Sequence, residues 1–208
     1  MSQKTVHTLD SLTPELPFPD DLKEFFDVVA AGLYSLSAML VGEGAVSALL
    51  VEEALDSAEV SMCQDPIEAR RSCRRALAAA SLKALAADCQ GCLDAPLGLT
   101  PVTTCIEGDD LASAGISAEE LDGMIGGQER GRVREWLASL PTAMRTVFAL
   151  RAVAGFTAAE TAELLKLHGG AQAAAWTAET VSEVFRQGLC SLASQVHSAS
   201  AGKTGSSF

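Results

Sequence analysis

Apolar side chains in the N-terminal part of the chain recur with the period of an α-helix. Between residues 20 and 40 they occupy i, i+3, i+4 and i+7 positions, which predicts an amphipathic helix. A second helix is predicted over 45–60, after two glycines that interrupt the first pattern. A third is predicted over 67–87, because Pro66 suits the first turn of a helix.

The C-terminal part shows a different arrangement of signals. Residues 140–192 have the outline of a helix-turn-helix, a module that usually places its last helix in the major groove of DNA. Thr157 and Glu160 have the spacing of a capping box, in which the threonine caps a helix and the glutamate reaches back. Thr177 is placed to cap the last helix, predicted over 178–195.

Only one side of that last helix is apolar. The residues predicted to face the core are Val181, Phe185, Leu189 and Leu192. Those predicted to face outward, where DNA would lie, are Ala178, Glu179, Ser182, Glu183 and Arg186. The outward face therefore carries a single cation.

These patterns predict an all-α protein with two small helical domains joined by a flexible linker, the C-terminal domain being a helix-turn-helix. The expected segments are an extended arm over 1–19, a helical domain over 20–88, a linker over 89–118, a second domain over 119–196 and a disordered tail over 197–208. The linker is assigned from its Gly, Pro, Asp, Cys and Thr content, and the tail from its low complexity.

Composition sharpens this interpretation in two ways. Hydrophobic residues make up 48% of the chain and aromatic residues only 5%, so we expect helical cores of aliphatic side chains. The net charge of -12 is unevenly placed, with 20 acidic and 7 basic residues in 1–120 against 7 and 8 in 121–208. The acidity therefore belongs to the first half, which favours two modules.

Other classes of protein have little support in the sequence. The longest apolar run, 28–41, is shorter than the about 20 residues that a membrane-spanning helix needs. The first residues lack the apolar core of a signal peptide, so we expect a cytoplasmic protein without membrane contact. No phosphate-binding loop, metalloprotease motif or nucleophile elbow occurs, and we expect neither enzymatic activity nor a cofactor.

The order of motifs resembles a known family, the extracytoplasmic-function sigma factors of bacterial RNA polymerase. The matching positions in the C-terminal part are Leu140-Pro141, Arg145, Val147-Phe148, Leu150-Arg151, Gly155-Phe156-Thr157, Glu160-Thr161-Ala162, Leu165 and Thr180-Val181. In the N-terminal part Leu40-Val41-Gly42-Glu43, followed by Leu50-Val51-Glu52-Glu53-Ala54, is similar to the helix pair of the polymerase-docking domain. The resemblance covers about residues 22–195.

The resemblance implies a protein that binds RNA polymerase core and positions it on promoter DNA, with an anti-sigma or other regulatory protein as a further partner. The residues it assigns to polymerase are Leu50, Val51, Glu52 and Glu53. The residues it assigns to DNA are Arg70, Arg71, Arg74 and Arg75 on the third helix, Arg145, Arg151, and Thr177, Glu179, Thr180, Ser182 and Arg186 around the last helix.

The charged residues also have a simpler interpretation. The four arginines of the third helix form one stripe, which is either a surface for DNA or a solvated face that balances nearby carboxylates. Arg145 and Arg151 either contact phosphates or pair with Glu160 and Glu163.

The last helix departs from the family, which has several cations after Val181 where this chain has Ser182-Glu183-Val184. The turn before it is also longer than the family's. An alternative is therefore a sigma-derived protein–protein interaction module that has lost most of its DNA binding, with Leu49 and Val184 as exposed apolar contacts. A third interpretation is an unrelated helical bundle.

The six cysteines leave several hypotheses open. Cys89 and Cys92, with Cys105, could belong to a metal site or a redox pair, or could be ordinary linker cysteines. No second pair with metal-ligand spacing exists, so we expect no metal. Without a signal peptide we also expect no disulfides, and we expect Cys73 and Cys190 to be small core residues.

Overall fold

The structure, a computed structural model, describes residues 20–60, 65–96, 105–127 and 130–203. Its helices are α1 (Asp20–Val41), α2 (Ala45–Ser57), α3 (Pro66–Asp88), α4 (Ala118–Gly126), α5 (Arg130–Ser139), α6 (Thr142–Phe148), α7 (Ala158–His168) and α8 (Ala178–Lys203). No strand occurs within these ranges, and the all-α class is confirmed. The predicted arm over 1–19 lies outside the described residues.

Most helix boundaries follow the local signals that predicted them. α3 begins at Pro66, as predicted, and α2 begins directly after the predicted glycines. The main difference is α8, which continues to Lys203 and so includes residues that were predicted to belong to a disordered tail. Residues 204–208 lie outside the described part. Among the helices described, none combines the length and apolar composition needed to cross a bilayer.

Helices α1, α2 and α3 pack on one another through aliphatic side chains, as the composition predicted. Leu33, Leu36 and Leu40 lie one helical turn apart on α1 and are buried. Leu77 and Leu82 of α3 are fully buried in the same core. Each such side chain contributes about 1.5–3 kcal/mol by leaving water, so the alignment of these faces determines the packing of the three helices.

Aromatic side chains organise the packing of α5, α6 and α8, which the low aromatic content did not predict. The rings of Trp136 and Phe148 meet edge to face with centroids 5.0 Å apart, and Phe185 lies 5.7 Å beyond Phe148. The Trp136 indole donates a hydrogen bond to the Ser191 hydroxyl at 2.9 Å. Gly188 lets α8 approach, since a Cβ there would lie 3.2 Å from the Phe148 ring.

A widened turn ends α6 and directs the chain into α7. Residues 149–153 form a π-helical turn, and the Phe156 N–H then bonds to the Leu150 carbonyl at 3.1 Å. Gly155 has a φ of 75°, in the left-handed region that favours glycine. The chain reverses at this point, and α7 begins directly afterwards.

The two groups of helices contact each other and the segments between them. α3 lies against α7, and α1 lies against α5 and α6. Leu93, Ile106 and Ile116, from the predicted linker, are buried in the same connected core. These contacts were not predicted, because helical periodicity shows which face is apolar but not which face covers it.

Truncating Leu165 will test this core. Leu165 of α7 is fully buried, whereas Leu167, two residues later, is 64% exposed. We expect Leu165→Ala to lower the free energy of unfolding by about 2–5 kcal/mol. Leu167→Ala, the matched control, should change it by less than about 0.5 kcal/mol. Urea denaturation followed by circular dichroism measures both, and equal losses would contradict the assigned orientation of α7.

Candidate nucleic-acid interface

The local signals that predicted α7 and α8 are present as hydrogen bonds. The Thr157 hydroxyl accepts from the Glu160 N–H at 3.2 Å, and the Glu160 carboxylate accepts from the Thr157 N–H at 2.9 Å. The predicted capping box is therefore confirmed. Thr177 caps α8, since its hydroxyl accepts from the Thr180 N–H at 3.1 Å.

The long turn between these helices holds a buried anchor. Trp176 is fully buried, and its indole N–H donates to the Leu93 carbonyl oxygen at 2.7 Å. The extra residues of the turn thus carry a large side chain into the segment that follows α3. Sequence reasoning treated this turn only as an insertion. The signal it missed was a tryptophan within a run of alanines.

The first turns of α8 place several candidate residues at or near the surface. Val181, Phe185, Leu189 and Leu192 are buried, as predicted. Val184 is buried too, so its predicted role as an exposed apolar contact is wrong. Glu179 and Thr177 are exposed, and Thr180 is half-buried. The helix repeat brings Val184 onto the core side because it lies three residues after Val181.

The other outward residues of α8 have partners within the chain. The Ser182 hydroxyl donates to the Asp109 carboxylate at 2.6 Å. Arg186 donates to the Glu183 carboxylate one turn earlier. This hydrogen bond is the main reason that the pKa of Glu183 lies below its usual range. The cation predicted for DNA is therefore balanced locally.

Arg151 lies at the junction of three segments. Its guanidinium donates to the Asp109 carbonyl at 2.8 Å and to the Phe156 carbonyl at 2.9 Å. It also lies over the ring of Phe185, 5.1 Å from the centroid. The side chain is only 16% exposed, so Arg151 holds the linker, the turn before α7 and α8 together.

Arg145 also faces the interior. It donates to the Leu40 carbonyl at the end of α1 at 3.4 Å, and burial lowers the pKa of its guanidinium. Neither Arg145 nor Arg151 is hydrogen-bonded to Glu160 or Glu163, the partners considered from the sequence. Those two carboxylates pair with α3 instead.

The arginine stripe of α3 lies against α7. Arg71 pairs with Glu160, and Arg75 pairs with Glu163 at 3.3 Å. Arg74 donates to the Ala154 carbonyl at 3.4 Å, before α7 begins. The fourth member of the stripe, Arg70, is exposed and lines a small cavity with Arg74 and α1. The structure thus places the arginine stripe next to the first helix of the predicted helix-turn-helix, where Arg71 and Arg75 pair with carboxylates but stay partly exposed.

The predicted polymerase contacts divide into two groups. Glu52 and Glu53 are exposed on α2. Leu50 and Val51 are buried against α1 and α3, so their assignment to a partner surface is corrected. Leu49, which precedes the acidic pair, is 62% exposed, and Val46 lies one turn before it. The periodicity of α2 does not make this distinction, because it places Val46, Leu49 and Leu50 on one apolar side.

The cysteines are arranged differently from the prediction. Cys89 is joined to Cys92, and Cys105 is joined to Cys190 of α8. The three cysteines considered for a metal site are therefore divided between two disulfides. Cys73 is free and buried, as predicted, and burial raises the pKa of its thiol. Cys190 was expected to be a core residue and instead connects α8 to the linker.

No protein-family model, curated protein or solved structure gives a significant match to this chain. A function for this chain is therefore inferred from the geometry of its own residues and from the motif resemblance described above.

Acid titration will test the hydrogen bonds of the Glu160 carboxylate, which caps α7 and also contacts α3. The Thr157 N–H, followed by the Arg71 guanidinium and the Thr157 hydroxyl, lowers the pKa of Glu160 to about 2 from 4.5. A group with a lowered folded-state pKa stabilises the fold above its ordinary pKa, and this contribution is lost as the pH falls from 4.5 towards 2. We expect Glu160→Gln to remove a contribution on the order of 1–2 kcal/mol at neutral pH.

Thermal unfolding between pH 2 and 7 measures this effect, and the acid limb of the curve should flatten in Glu160→Gln. Glu163→Gln is the matched control, because the Glu163 carboxylate is 57% exposed and its ion pair contributes little. Arg71→Gln should keep most of the acid limb, because the Thr157 N–H is the larger cause. Identical curves for Glu160→Gln and the unmodified chain would contradict this assignment.

Proposed function

We propose that this chain is a sigma-factor-like transcription initiation protein that binds RNA polymerase core and positions it on promoter DNA. We propose further that the conformation described above is a closed one, in which its DNA-facing groups are engaged within the chain. The observation that carries the proposal is the capped α7–turn–α8 unit at the position where the sequence pattern predicts a DNA reader.

The α7–α8 unit supports DNA binding through its hydroxyl groups and helix start. Thr177, Thr180 and Ser182 lie on the first two turns of α8, together with the exposed Glu179. Hydroxyl and carboxylate groups on a recognition helix can read base edges, while cations elsewhere supply affinity. In this chain those cations would have to come from α3, because the first turns of α8 offer only Arg186, beside its own glutamate.

The exposed face of α2 supports docking on a large protein. Val46 and Leu49 form an apolar patch, and Glu52 and Glu53 lie next to it on the exposed side. A buried apolar centre with charged groups around it is the usual anatomy of a protein interface. The resemblance assigns this helix to RNA polymerase core, and we keep that assignment with Leu49 in place of Leu50 and Val51.

One specific observation favours a second function. Four of the cations predicted to bind DNA each pair with a carboxylate of the chain: Arg71, Arg75, Arg151 and Arg186. A sigma-derived protein–protein interaction module that has lost most DNA binding would keep this arrangement permanently. The two functions differ in whether the contact between α3 and α7 opens.

Polymerase binding is the first test. We expect purified chain to bind core RNA polymerase, and Leu49→Glu to weaken that binding by about 10-fold or more, which corresponds to at least about 1.4 kcal/mol. Leu167→Glu places the same charge on an apolar residue of similar exposure, 64% against 62%, and should leave the affinity unchanged. Fluorescence anisotropy with labelled chain measures both variants. No binding by the unmodified chain would rule out the proposed function.

DNA binding is the second test. The double variant Glu160→Gln/Glu163→Gln removes the carboxylates that hold Arg71 and Arg75. Its affinity for promoter DNA should rise, and the plot of log affinity against log salt should steepen by about 1–2 units, since each phosphate contact adds about 0.9. The control Glu52→Gln/Glu53→Gln makes the same change in net charge on α2, away from this contact.

Electrophoretic mobility shifts at several salt concentrations, without polymerase, distinguish the outcomes. A larger effect for the α7 pair than for the α2 pair supports a closed DNA-binding protein. Equal small effects would mean that only net charge changed, which favours the interaction module.

A further inference from the structure

The disulfide between Cys105 and Cys190 occupies a position that the proposed function leaves unexplained. It joins residues 85 positions apart, whereas Cys89 and Cys92 are only three apart. The Cys89–Cys92 bond closes a short local loop at the end of α3. The Cys105–Cys190 bond fixes the segment before α4 to the middle of α8. Of the two bonds, it is therefore the one that can control how two distant parts of the chain are placed.

The segment fixed by this bond, residues 105–116, covers part of the surface of α8 that the sequence assigned to DNA. Ile106, directly after Cys105, is buried. The Asp109 carboxylate accepts a hydrogen bond from Ser182 at 2.6 Å and lies 3.4 Å from the Arg151 guanidinium. The 3₁₀ turn over 112–114 contacts α8 as well. In this position the Asp109 carboxylate meets a hydroxyl and a guanidinium, the groups that would otherwise meet a phosphate.

The covalent bond matters because the carboxylate contacts of this segment are open to water. Asp109 is 41% exposed, and an ion pair in contact with water is screened. A covalent tether keeps the segment at a high effective concentration next to α8. Once the tether is cut, the segment is held by Asp109, whose carbonyl accepts from Arg151 at 2.8 Å, and by its apolar side chains, chiefly the buried Ile106 and Ile116.

The two sulfur atoms differ in accessibility. Cys105 is exposed at the surface, whereas Cys190 is half-buried on α8. A thiolate from solution therefore reaches the Cys105 sulfur more readily, and Cys190 is the leaving group.

We propose that Cys105–Cys190 is a regulatory thiol–disulfide site whose reduction by a dithiol releases residues 105–116 from α8. One thiolate of the reductant attacks the Cys105 sulfur, the bond to Cys190 breaks, and Cys190 leaves as a thiolate that takes up a proton. The second thiol of the reductant then attacks the mixed disulfide and frees Cys105, which also ends protonated. Two electrons and two protons pass to the protein, and the dithiol becomes a disulfide.

The release itself does not depend on the proposed function, whereas its consequence does. If α8 contacts DNA, reduction uncovers Ser182 and Arg151 and increases DNA binding. If the chain is an interaction module, the same reduction uncovers α8 without that increase. The experiment therefore needs one measurement for the release and a separate one for DNA.

The release is measured by hydrogen exchange of residues 105–117 in the full chain, before and after treatment with dithiothreitol. We expect exchange to accelerate at least about 10-fold on reduction, which is about 1.4 kcal/mol of lost protection. The matched variants are Cys105→Ser/Cys190→Ser, which should exchange fast with or without reductant, and Cys89→Ser/Cys92→Ser, which should respond as the unmodified chain does. If Cys105→Ser/Cys190→Ser fails to fold, Cys89→Ser/Cys92→Ser alone still isolates the remaining bond.

Three results would overturn the proposal. One is the absence of a cross-link between the Cys105 and Cys190 peptides after purification without reductant. Another is unchanged exchange in 105–117 once alkylation shows that the bond is cut. The third is acceleration in Cys105→Ser/Cys190→Ser on adding dithiothreitol, because that response would come from Cys89–Cys92. Mobility shifts with promoter DNA then form the separate arm, and release without a gain in DNA binding counts against the proposed function, not against the switch.

Discussion

The contacts of the Arg151 guanidinium are those on which the packing of the C-terminal part depends most. A charged group that is 16% exposed has lost most of its hydration, so the protein has to supply hydrogen bonds in place of water. It does so with carbonyl oxygens from Asp109 and Phe156 and with the ring of Phe185. These partners come from the linker, from the turn before α7 and from α8. The contacts of one largely buried cation therefore connect three segments.

The position of the described linker residues follows from the hydrogen bonds that the Arg151 guanidinium needs. Once Asp109 is held by Arg151, its carboxylate lies beside Ser182, and the neighbouring Ile106 and Ile116 can enter the core. The same logic applies at Trp176, whose indole N–H needs an acceptor inside the protein and finds the Leu93 carbonyl. Buried polar groups from other segments thus hold residues of the predicted linker in the folded structure. Both ends of the described linker are held in this way.

Local order was predictable from the sequence, whereas long-range pairing was not. The capping box at Thr157 and Glu160, the cap at Thr177 and the glycine break before α2 all lie within a few residues of the structure they determine. The pairing of Arg71 with Glu160 joins positions 89 residues apart, and nothing in either helix identifies the other as its partner.

The same limit explains the corrected site residues. The resemblance named Leu50 and Val51 as contacts, but the helix repeat places them beside the buried Ala54, and Leu49 is the residue that stays outside. A motif preserves residue identity along the chain, while exposure depends on which helices pack nearby. The disulfide partner of Cys190 could not be predicted either, because the spacing of cysteines does not determine how they are connected.

These contacts show where several of the charged groups of the chain lie and which groups they pair with. A net charge of -12 opposes DNA at long range, and the cations that could offset it lie where α3 meets α7 and where the linker meets α8. Each of these contacts sets a carboxylate against a cation that a phosphate would otherwise attract. Under the proposed function, DNA therefore competes with the protein's own acidic residues, and an event that removes them, such as polymerase docking or cleavage of the tether, would act as the switch. Because the same contacts hold the fold closed, DNA affinity and stability of the closed form should be inversely linked in this chain.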